Sequence, residues 1–336
     1  MNDHRALSES SYVTLLHSLD TLADGVPSLN DAGPLLHRLR NLVIVLQNTT
    51  PAAINHQIHS QSEPHEATLT LTGAMTLADT ARSLLSLMRN VDDGQRVSAE
   101  MDQALSEVLH SLTARLGVAL RRQLADQVRG LYVIIDPTVT GGRDPLAIAT
   151  AAINGGARML QLRDKLRDKG ESLPLATALQ ELCARHNALL IINDHVDLAA
   201  AVGSGGVHVG QTDLPVAQAR RVLRPNQVLG RSNHELEELI ESQEMGADHV
   251  AFGAIYPTTT KGVGRDPQGP QRLREARAVT RVPLVAIGGI NAENVAPVVE
   301  AGADAICVTA AVGAAPNPEV AASRLVEAIR QAGGKV

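Results

Sequence analysis

Aromatic residues are nearly missing from this sequence of 336 residues, which contains three Tyr, one Phe and no Trp. Without aromatic side chains, the bases of a single-stranded nucleic acid would have few surfaces on which to stack. The formal net charge of −6 also argues against a general binder of nucleic acids or of membrane surfaces. Any anionic ligand must therefore be held by a local cluster of cations.

Cysteines and long apolar runs are also scarce. The two cysteines, Cys183 and Cys307, lie in apolar surroundings without the spacing of a metal site, which indicates a reducing compartment and no disulfide framework. The first residues lack the apolar core of a signal peptide, and no uninterrupted apolar run is long enough to span a bilayer. These absences predict a soluble protein of the cytoplasm.

The spacing of the apolar residues changes near residue 128. Before that point they recur every three or four positions, which predicts an all-α N-terminal domain over residues 1–128, with a polar loop from Asn48 to Glu66. This half contains no glycine-rich phosphate loop, metal cluster or nucleophile motif. Its role stays open between an assembly surface, a support for the second half and substrate handling. The predicted helices cover Tyr12–Leu22, Leu35–Leu46, Leu77–Met88 and Met101–Leu120.

After that point, short β-branched segments alternate with helical ones. Eight such units over about two hundred residues favour a closed (β/α)₈ TIM barrel over residues 129–336, with a doubly wound sheet as the alternative. The predicted fold class is therefore α/β, with a barrel preceded by helices. The predicted strands are Tyr132–Asp136, Met159–Arg163, Leu189–Asn193, Gly206–Val209, Val228–Ser232, His249–Gly253, Leu284–Gly288 and Ala305–Thr309.

Alternation within the strands predicts which side chains face the interior of the barrel. One set of alternate positions is apolar, and we expect it to pack against the surrounding helices. The other set is small or polar and is expected inside. The apolar set is Val133, Ile135, Leu160, Leu162, Val207, Val209, Val250, Phe252, Val285, Ile287, Ile306 and Val308. The interior set is Gln161, Arg163, Asn193, His208, Ser232, Ala251, Gly253, Gly288 and Thr309.

Charged residues follow several of the predicted strands, at the end of a barrel where enzymes of this fold place their chemistry. Asp194 and Asp213 follow adjacent strands and are suited to share Mg²⁺, which typically takes one or two protein carboxylates together with substrate phosphate oxygens. Arg163, Lys165 and Lys261 supply cations that complement a pyrophosphate group. The sequence therefore predicts a magnesium-dependent diphosphate site.

A second phosphate site is predicted after strands seven and eight. Gly288-Gly289 with Asn291 as a helix cap, and Thr309 before two alanines, offer backbone N–H groups of the kind that hold a phosphate. The residues alone thus indicate two phosphate-bearing substrates, one of them held with a metal ion.

Each of these motifs also has a purely structural interpretation. Asp194 and Asp213 are both placed where a helix N-cap would lie, and the two glycines are typical of a tight turn. We interpret His208 and His249 as hydrogen-bonded structural histidines rather than catalysts. The occurrence of such motifs at successive strand ends favours the functional interpretation.

Residues 131 to about 331 resemble the thiamine phosphate synthase family, also called thiamine-phosphate pyrophosphorylase. The motifs occur in the order and spacing of that family and cover the whole predicted barrel. They are Gln161-Leu-Arg-Asp-Lys165, Asn193-Asp194, the His-Val-Gly-Gln-Thr-Asp run ending at Asp213, Gly230-x-Ser232, Tyr-Pro-Thr-x-Thr-Lys261, Ile287-Gly-Gly-Ile290 and Val308-Thr309. The family joins a hydroxymethylpyrimidine diphosphate to a thiazole phosphate and releases pyrophosphate.

The resemblance implies a role for each matching residue. Asp194 and Asp213 are expected to hold Mg²⁺. The pyrimidine diphosphate is expected to contact Gln161, Leu162, Arg163, Asp164, Lys165, Asn193, Ser232 and Lys261, of which Arg163, Lys165, Ser232 and Lys261 are expected to act in catalysis. The thiazole phosphate is expected to contact Thr258, Thr259, Thr260, Gly289, Val308 and Thr309. The family reaction is dissociative: pyrophosphate leaves first, and the thiazole nitrogen captures the resulting carbocation.

Three positions depart from the family pattern. His195 stands where the family has a second acid, which puts the affinity for the metal in question. Thr309 replaces a serine but keeps the hydroxyl group. The segment Gly262–Asp266 replaces the lysine or acid that more often follows directly after Lys261.

Two alternative functions stay open at this stage. One is a barrel similar to the thiazole tautomerases, which bind a related thiazole phosphate; the other is a non-catalytic regulator that binds thiamine or phosphate. The retained Asp194, Asp213 and the three cations favour the synthase. The expected partners are small-molecule substrates, with no nucleic acid and no membrane, and assembly into a homo-oligomer is left open.

Overall fold

The structure is a computed structural model that describes residues 2–26, 32–50, 69–91, 97–258 and 266–336. The chain forms two compact units, Met1–Leu120 and Arg121–Val336. The second unit begins earlier in the chain than the predicted boundary at residue 128. Across the described ranges, every helix is too short or too polar to cross a membrane.

The described part of the first unit is helical, as predicted. Its helices are α1 (Asn2–Gly25), α2 (Gly33–Thr49), α3 (Leu71–Val91) and α4 (Ala99–Ala125), the last of which continues into the second unit. Leucines at three- and four-residue spacing form their common core, including Leu15, Leu19, Leu105, Leu109 and Leu112, because this spacing places them on one face of each helix. Most of the predicted loop from Asn48 to Glu66 lies outside the described residues.

The second unit is a closed barrel of parallel strands, which confirms the predicted TIM barrel and excludes the doubly wound sheet. Each strand pairs with its neighbours in chain order, and the last pairs with the first. The strands are β1 (Gly130–Ile135), β2 (Met159–Leu162), β3 (Leu189–Asn193), β4 (Gly206–Val209), β5 (Val228–Asn233), β6 (His249–Gly253), β7 (Leu284–Ile287) and β8 (Ala305–Val308).

Helices follow the strands and cover the outside of the barrel. They are α5 (Pro145–Asn154), α6 (Lys169–Arg185), α7 (Val196–Val202), α8 (Val216–Val222), α9 (Leu236–Glu244), α10 (Gly269–Val279), α11 (Ala296–Glu300), α12 (Ala310–Gly313) and α13 (Pro318–Gln331). The layer between strands and helices is apolar, and the side chains of Val133, Leu160 and Phe252 lie in it as expected.

The interior of the barrel is less polar than predicted. Strand residues that pack with one another and not with the outer helices form a separate apolar cluster, which includes Tyr132, Ile134, Met159 and Ile191. Ile134 and Ile191 of this cluster pair in register with Gln161, so apolar side chains reach the level of that residue. Most of the polar interior side chains lie towards the end at which the strands terminate, and His249, at the start of β6, is an exception.

The predicted orientation of β7 was wrong. Val285 and Ile287 belong to the interior cluster, whereas Leu284 and Ala286 pack against the helices. The register explains the difference: Val285 pairs directly with Ala251, and paired residues of parallel strands face the same side of a sheet.

The opposite end of the barrel is closed by the end of α4 and the residues that follow it. Val128 is buried in the interior cluster, and Leu124 packs against it. Arg121 forms an ion pair with Asp248, with 3.3 Å between Nε and Oδ1, and Asp248 also pairs with Arg220. These contacts make residues 121–128 part of the barrel unit.

Candidate active site

A cavity opens at the carboxyl ends of the strands. Its lining comes from β1, β2, β5, β6, β7 and β8 and from the loops after them, and includes Asp136, Arg163, Ser232, Thr258, Gly289 and Thr309. Parallel strands bring their ends to one rim, so residues far apart in the chain meet there. Five of these six residues, all but Asp136, were predicted from the sequence.

Asp136 is an acidic residue of the cavity lining that the sequence reasoning missed. It directly follows β1, and its buried carboxylate forms an ion pair with Arg163. Its Oδ1 accepts hydrogen bonds from the backbone N–H of Thr138 at 2.9 Å and from the Thr138 hydroxyl at 2.6 Å. The acid is therefore fixed by its own loop, and it holds the guanidinium of Arg163 at the rim. Its position at the carboxyl end of β1 was the feature of the sequence that could have identified it as a candidate site residue.

Lys165, Asp194 and Asp213 form a second charged cluster. Lys165 Nζ lies 2.5 Å from Asp194 Oδ2. The carboxyl groups of Asp194 and Asp213 are within hydrogen-bonding reach of each other, and Asp213 also accepts a hydrogen bond from the backbone N–H of Gly210 at 2.7 Å. The structure thus brings together the two predicted metal ligands and one predicted cation.

The pKa values of the two acids move in opposite directions. Burial raises the pKa of Asp194, but the hydrogen bonds from Lys165 and Asp213 and the charge of Lys165 outweigh it, so this pKa lies below its usual range. Burial and the neighbouring Asp194 raise the pKa of Asp213, against the hydrogen bond from Gly210. Two carboxylates this close repel each other and favour either a shared proton or a bound cation.

Neither acid caps a helix, which removes the structural interpretation offered above. The N-cap residues of α7 and α8 are His195 and Pro215. Asp194 adopts a left-handed backbone conformation with φ of 59°, which an aspartate tolerates better than most residues. This conformation ends β3 and lets the backbone N–H of Asp194 donate to the His208 carbonyl at 2.8 Å.

Polar side chains lie below the rim, inside the barrel. Gln161 Nε2 donates to the hydroxyl of Tyr132 at 2.5 Å, and both residues are buried. Burial and the proximity of Cys307 raise the pKa of Tyr132 well above 10, so the phenol stays neutral. His208 Nε2 lies 2.9 Å from Ser232 Oγ. These contacts fix the orientation of two predicted substrate-binding residues, Gln161 and Ser232.

Three predicted substrate contacts have side chains that are engaged away from the cavity. Leu162 and Val308 pack in the layer beneath the helices, so a ligand at the rim would meet their backbone. The side chain of Asp164 accepts hydrogen bonds from Leu166 N at 3.1 Å, Arg167 Nε at 2.7 Å and Ser172 Oγ at 2.9 Å, which folds the loop carrying Lys165. Burial opposes these bonds, but together they lower the pKa of Asp164.

Two glycines with left-handed backbone form the rim after β7. Gly288 has φ of 104° and Gly289 has φ of 66°, and a Cβ at residue 289 would meet the carbonyl oxygen of Pro257 at 2.5 Å. Only glycine therefore allows these two loops to approach each other. The predicted helix cap at Asn291 was wrong: α11 begins at Ala296, and Asn291 Oδ1 instead accepts from the backbone of Asn294 at 3.1 Å in a turn.

Part of the predicted site lies outside the described residues, namely Thr259, Thr260, Lys261 and the segment after it. Within the described ranges, no three or more His, Cys, Asp or Glu side chains are grouped to hold a metal ion. Asp194 and Asp213 are only two ligands, and His195 adds no third acid. A metal ion bound here would complete its coordination with oxygen atoms from substrate or water, as Mg²⁺ commonly does.

Comparison with known proteins identifies the family to which the barrel belongs. The family model described as thiamine monophosphate synthase matches residues 131–312, more than half of the chain. The chain belongs to this family. Residues before 131 lie outside the match.

Named relatives of the family agree with this assignment. The thiamine-phosphate synthase of Shouchella clausii (strain KSM-K16) is 42% identical over 202 residues, which are 60% of this chain and 97% of the relative. That of Thioalkalivibrio sulfidiphilus (strain HL-EbGR7) is 45% identical over 205 residues, 60% of this chain and 96% of the relative. Thiamine phosphate pyrophosphorylase from Pyrococcus furiosus has 32% identity and a TM-score of 0.58, and the match covers 63% of this chain and all of that one.

Family membership makes this chain an enzyme, a transferase of thiamine biosynthesis that joins a pyrimidine diphosphate to a thiazole phosphate. The predicted family and reaction are thereby confirmed. The roles of the individual residues are taken up below.

Proposed function

We propose that the rim of the barrel carries out a Mg²⁺-assisted, dissociative condensation. Pyrophosphate leaves 4-amino-2-methyl-5-(diphosphooxymethyl)pyrimidine, and the nitrogen of 4-methyl-5-(2-phosphoethyl)thiazole captures the carbocation to give thiamine phosphate. With the carboxylated form of the thiazole, the carboxyl group is also lost as CO₂. The observation that carries this proposal is the contact of Lys165 with Asp194, next to Asp213, on the same rim as Arg163.

Asp194 and Asp213 are the proposed ligands of Mg²⁺. Their carboxyl groups lie within hydrogen-bonding reach of each other, so both could serve as ligands of one small cation, which would relieve the repulsion between the two carboxylates. The ion, when bound, would neutralise charge on the departing pyrophosphate.

Arg163 and Lys165 are the proposed holders of the leaving group. Asp136 engages one nitrogen of the Arg163 guanidinium, which leaves other N–H groups of its planar fork to bind phosphate oxygens in a bidentate manner. Lys165 is partly exposed at the rim and can move its contact from Asp194 to the substrate. Lys261 is proposed as a third cation on the basis of the family motif alone.

The two organic groups are proposed to bind on different sides of the cavity. Gln161, Asn193 and Ser232 would contact the pyrimidine diphosphate, since they face the interior below the two cations. Thr258, Gly289 and Thr309, with the backbone of Val308, would hold the thiazole phosphate. Thr259 and Thr260 are proposed to contact the same phosphate, on the basis of the family motif alone.

The chemistry requires no general base. The attacking thiazole nitrogen already carries its lone pair, so no proton must be removed, and stabilisation of the leaving pyrophosphate is the main task. A rim with paired acids and fixed cations suits this task. It suits a tautomerase or a non-catalytic regulator less well, because neither needs a site for a leaving group. Cytoplasmic location and assembly into a homo-oligomer stay predictions.

An assay of the purified chain tests the proposal. The chain is incubated with both substrates, with and without Mg²⁺, and thiamine phosphate and pyrophosphate are quantified. We expect equimolar amounts of both products, and only with Mg²⁺. Conversion of the thiazole substrate to an isomer, without thiamine phosphate, would instead support the tautomerase, and binding without turnover would support the regulator.

A further inference from the structure

His249 is a fully buried imidazole that the proposed chemistry does not use. It begins β6 and faces the interior of the barrel, paired in register with Gly230 of β5. Among the residues that the structure describes, neither of its ring nitrogens has a hydrogen-bond partner. The hydrogen bonds predicted from the sequence are thus not formed directly. A buried polar group without a partner is costly, so this one calls for an explanation.

Gly230 brings this imidazole close to His208. A Cβ at residue 230 would lie 2.6 Å from His208 Nδ1 and closer still to His249 Nε2, so both nitrogens face the same small space above the glycine. The ring centroids are 5.7 Å apart, with an angle of 32° between the ring planes. His208 Nδ1 is therefore within reach of His249 Nε2 after a small rotation of either ring, or through one water molecule.

His208 links this pair to the site. Its other nitrogen, Nε2, contacts the Ser232 hydroxyl at 2.9 Å, and Ser232 lines the cavity. A neutral imidazole has one nitrogen that donates and one that accepts. Whichever role His208 Nδ1 takes towards His249 therefore decides which role His208 Nε2 takes towards Ser232.

The chemistry of the substrate determines which atom donates in the hydrogen bond between His208 and Ser232. Diphosphate oxygens and pyrimidine ring nitrogens are hydrogen-bond acceptors, so Ser232 must keep its own O–H to donate to them. It can do so only if His208 Nε2–H donates to Ser232, which leaves His208 Nδ1 as an acceptor. The donor that faces this acceptor is then His249 Nε2–H.

We propose that His249 is a positioning residue, which donates to His208 Nδ1 and so fixes the His208 tautomer that directs the Ser232 hydroxyl at the pyrimidine diphosphate. This inference rests on the proposed substrate role of Ser232. It assigns a function to a residue that contacts no substrate and is paired with Gly230, two residues before Ser232 in β5.

Two variants of His249 separate positioning from packing. His249→Gln keeps an N–H that can donate to His208, whereas His249→Phe fills the space without a donor. We expect kcat/KM for the pyrimidine diphosphate to fall roughly tenfold in His249→Phe, with KM for the thiazole phosphate unchanged, and to fall much less in His249→Gln. In the full chain labelled with ¹⁵N-histidine, two-bond ¹H–¹⁵N correlations should place the His208 proton on Nε2 in wild type and His249→Gln. In His249→Phe they should show a mixture of the two neutral tautomers, with the single proton divided between Nδ1 and Nε2.

The melting temperatures of the variants supply the control. If His249 acts through packing alone, activity should follow stability, and the apolar Phe should be tolerated at least as well as Gln. An unchanged His208 tautomer in His249→Phe, or a wild-type proton on Nδ1, would overturn the inference. These NMR results do not depend on turnover. A wild-type protein that forms no thiamine phosphate would refute the proposed function instead.

Discussion

Asp136 and Arg163 form an ion pair in which the acid is wholly buried and the base reaches the solvent-accessible rim. The pair connects the end of β1 to the end of β2, and the hydrogen bonds from Thr138 hold the acid from the other side. A flexible arginine is thereby given one orientation before any substrate arrives, which reduces the entropy lost when it binds a diphosphate.

We expect Asp136→Asn to lower kcat/KM for the pyrimidine diphosphate by roughly 10- to 100-fold, because the neutral amide no longer holds the guanidinium in place. Unfolding in urea should show a loss of roughly 2 kcal/mol, since a charge-assisted hydrogen bond to a buried acid is removed. Asp197→Asn is the matched control: it breaks the exposed pair with Lys169 and should change neither quantity measurably. Equal effects of the two substitutions would contradict the assigned role of Asp136.

Asp213→Ala should abolish Mg²⁺-dependent turnover while leaving the fold intact. Asp194 alone would then face Lys165, and the position for a shared cation would be lost. The measurement is a Mg²⁺ titration of product formation, with circular dichroism to confirm folding. Asp197→Asn again serves as control, because it removes an exposed acid close to Asp194 in the chain. Full activity of the Asp213→Ala protein would rule out the metal assignment.

Stability should depend on pH through His249. Burial lowers the pKa of His249 to about 4, whereas its ordinary value is 6.5. The unfolded chain therefore binds a proton between these two pH values that the folded chain does not, so stability falls as the pH drops from 6.5 to 4. One such group contributes about 3 kcal/mol over this interval.

Urea denaturation at a series of pH values measures this contribution. Both His249→Phe and His249→Gln should reduce the slope between pH 6.5 and 4, because both remove the imidazole. If the two variants have the same slope but different activities, the effect of the hydrogen bond to His208 on activity is distinct from the effect of His249 titration on stability. Wild-type and variant slopes that coincide would show that His249 is not the group responsible.

A truncated chain of residues 121–336 should fold and retain the condensation activity, whereas one of residues 129–336 should be less stable by roughly 3 kcal/mol. The shorter chain loses the buried apolar surface of Leu124 and Val128 and the ion pair of Arg121 with Asp248. Thermal unfolding of the two proteins, with the full chain as reference, checks this. Equal stability would place the true start of the barrel unit at the later residue, and an inactive longer chain would show that the helical unit is required for catalysis.

Much of the barrel could be predicted because its strands alternate strongly. In β2 and β4, polar Gln161 and His208 stand between apolar residues, so the side facing the cavity is evident from the sequence. In β7 the residues on both sides are apolar, and alternation carries no information about which side faces in. There the orientation depends on the register with β6, which is a long-range property.

Two other features depend on contacts between distant segments. Asp136 precedes Pro137 and Thr138, a sequence typical of a turn, and only the approach of Arg163 distinguishes it from a loop acid. The helical period continues through α4 without a break, so nothing local marks Arg121 as the start of the second unit. In both cases the deciding partner lies far along the chain.

Because residue 230 in β5 is a glycine, the side chain of residue 249 occupies the space that a side chain at residue 230 would need. Even an alanine at 230 would need the space now held by the imidazole of residue 249, so the two positions cannot be redesigned independently. A variant with a larger side chain at one of these residues needs a smaller side chain at the other. Paired substitutions at these two sites are therefore the most direct way to resize the barrel interior beneath the substrate pocket without altering a residue of the rim.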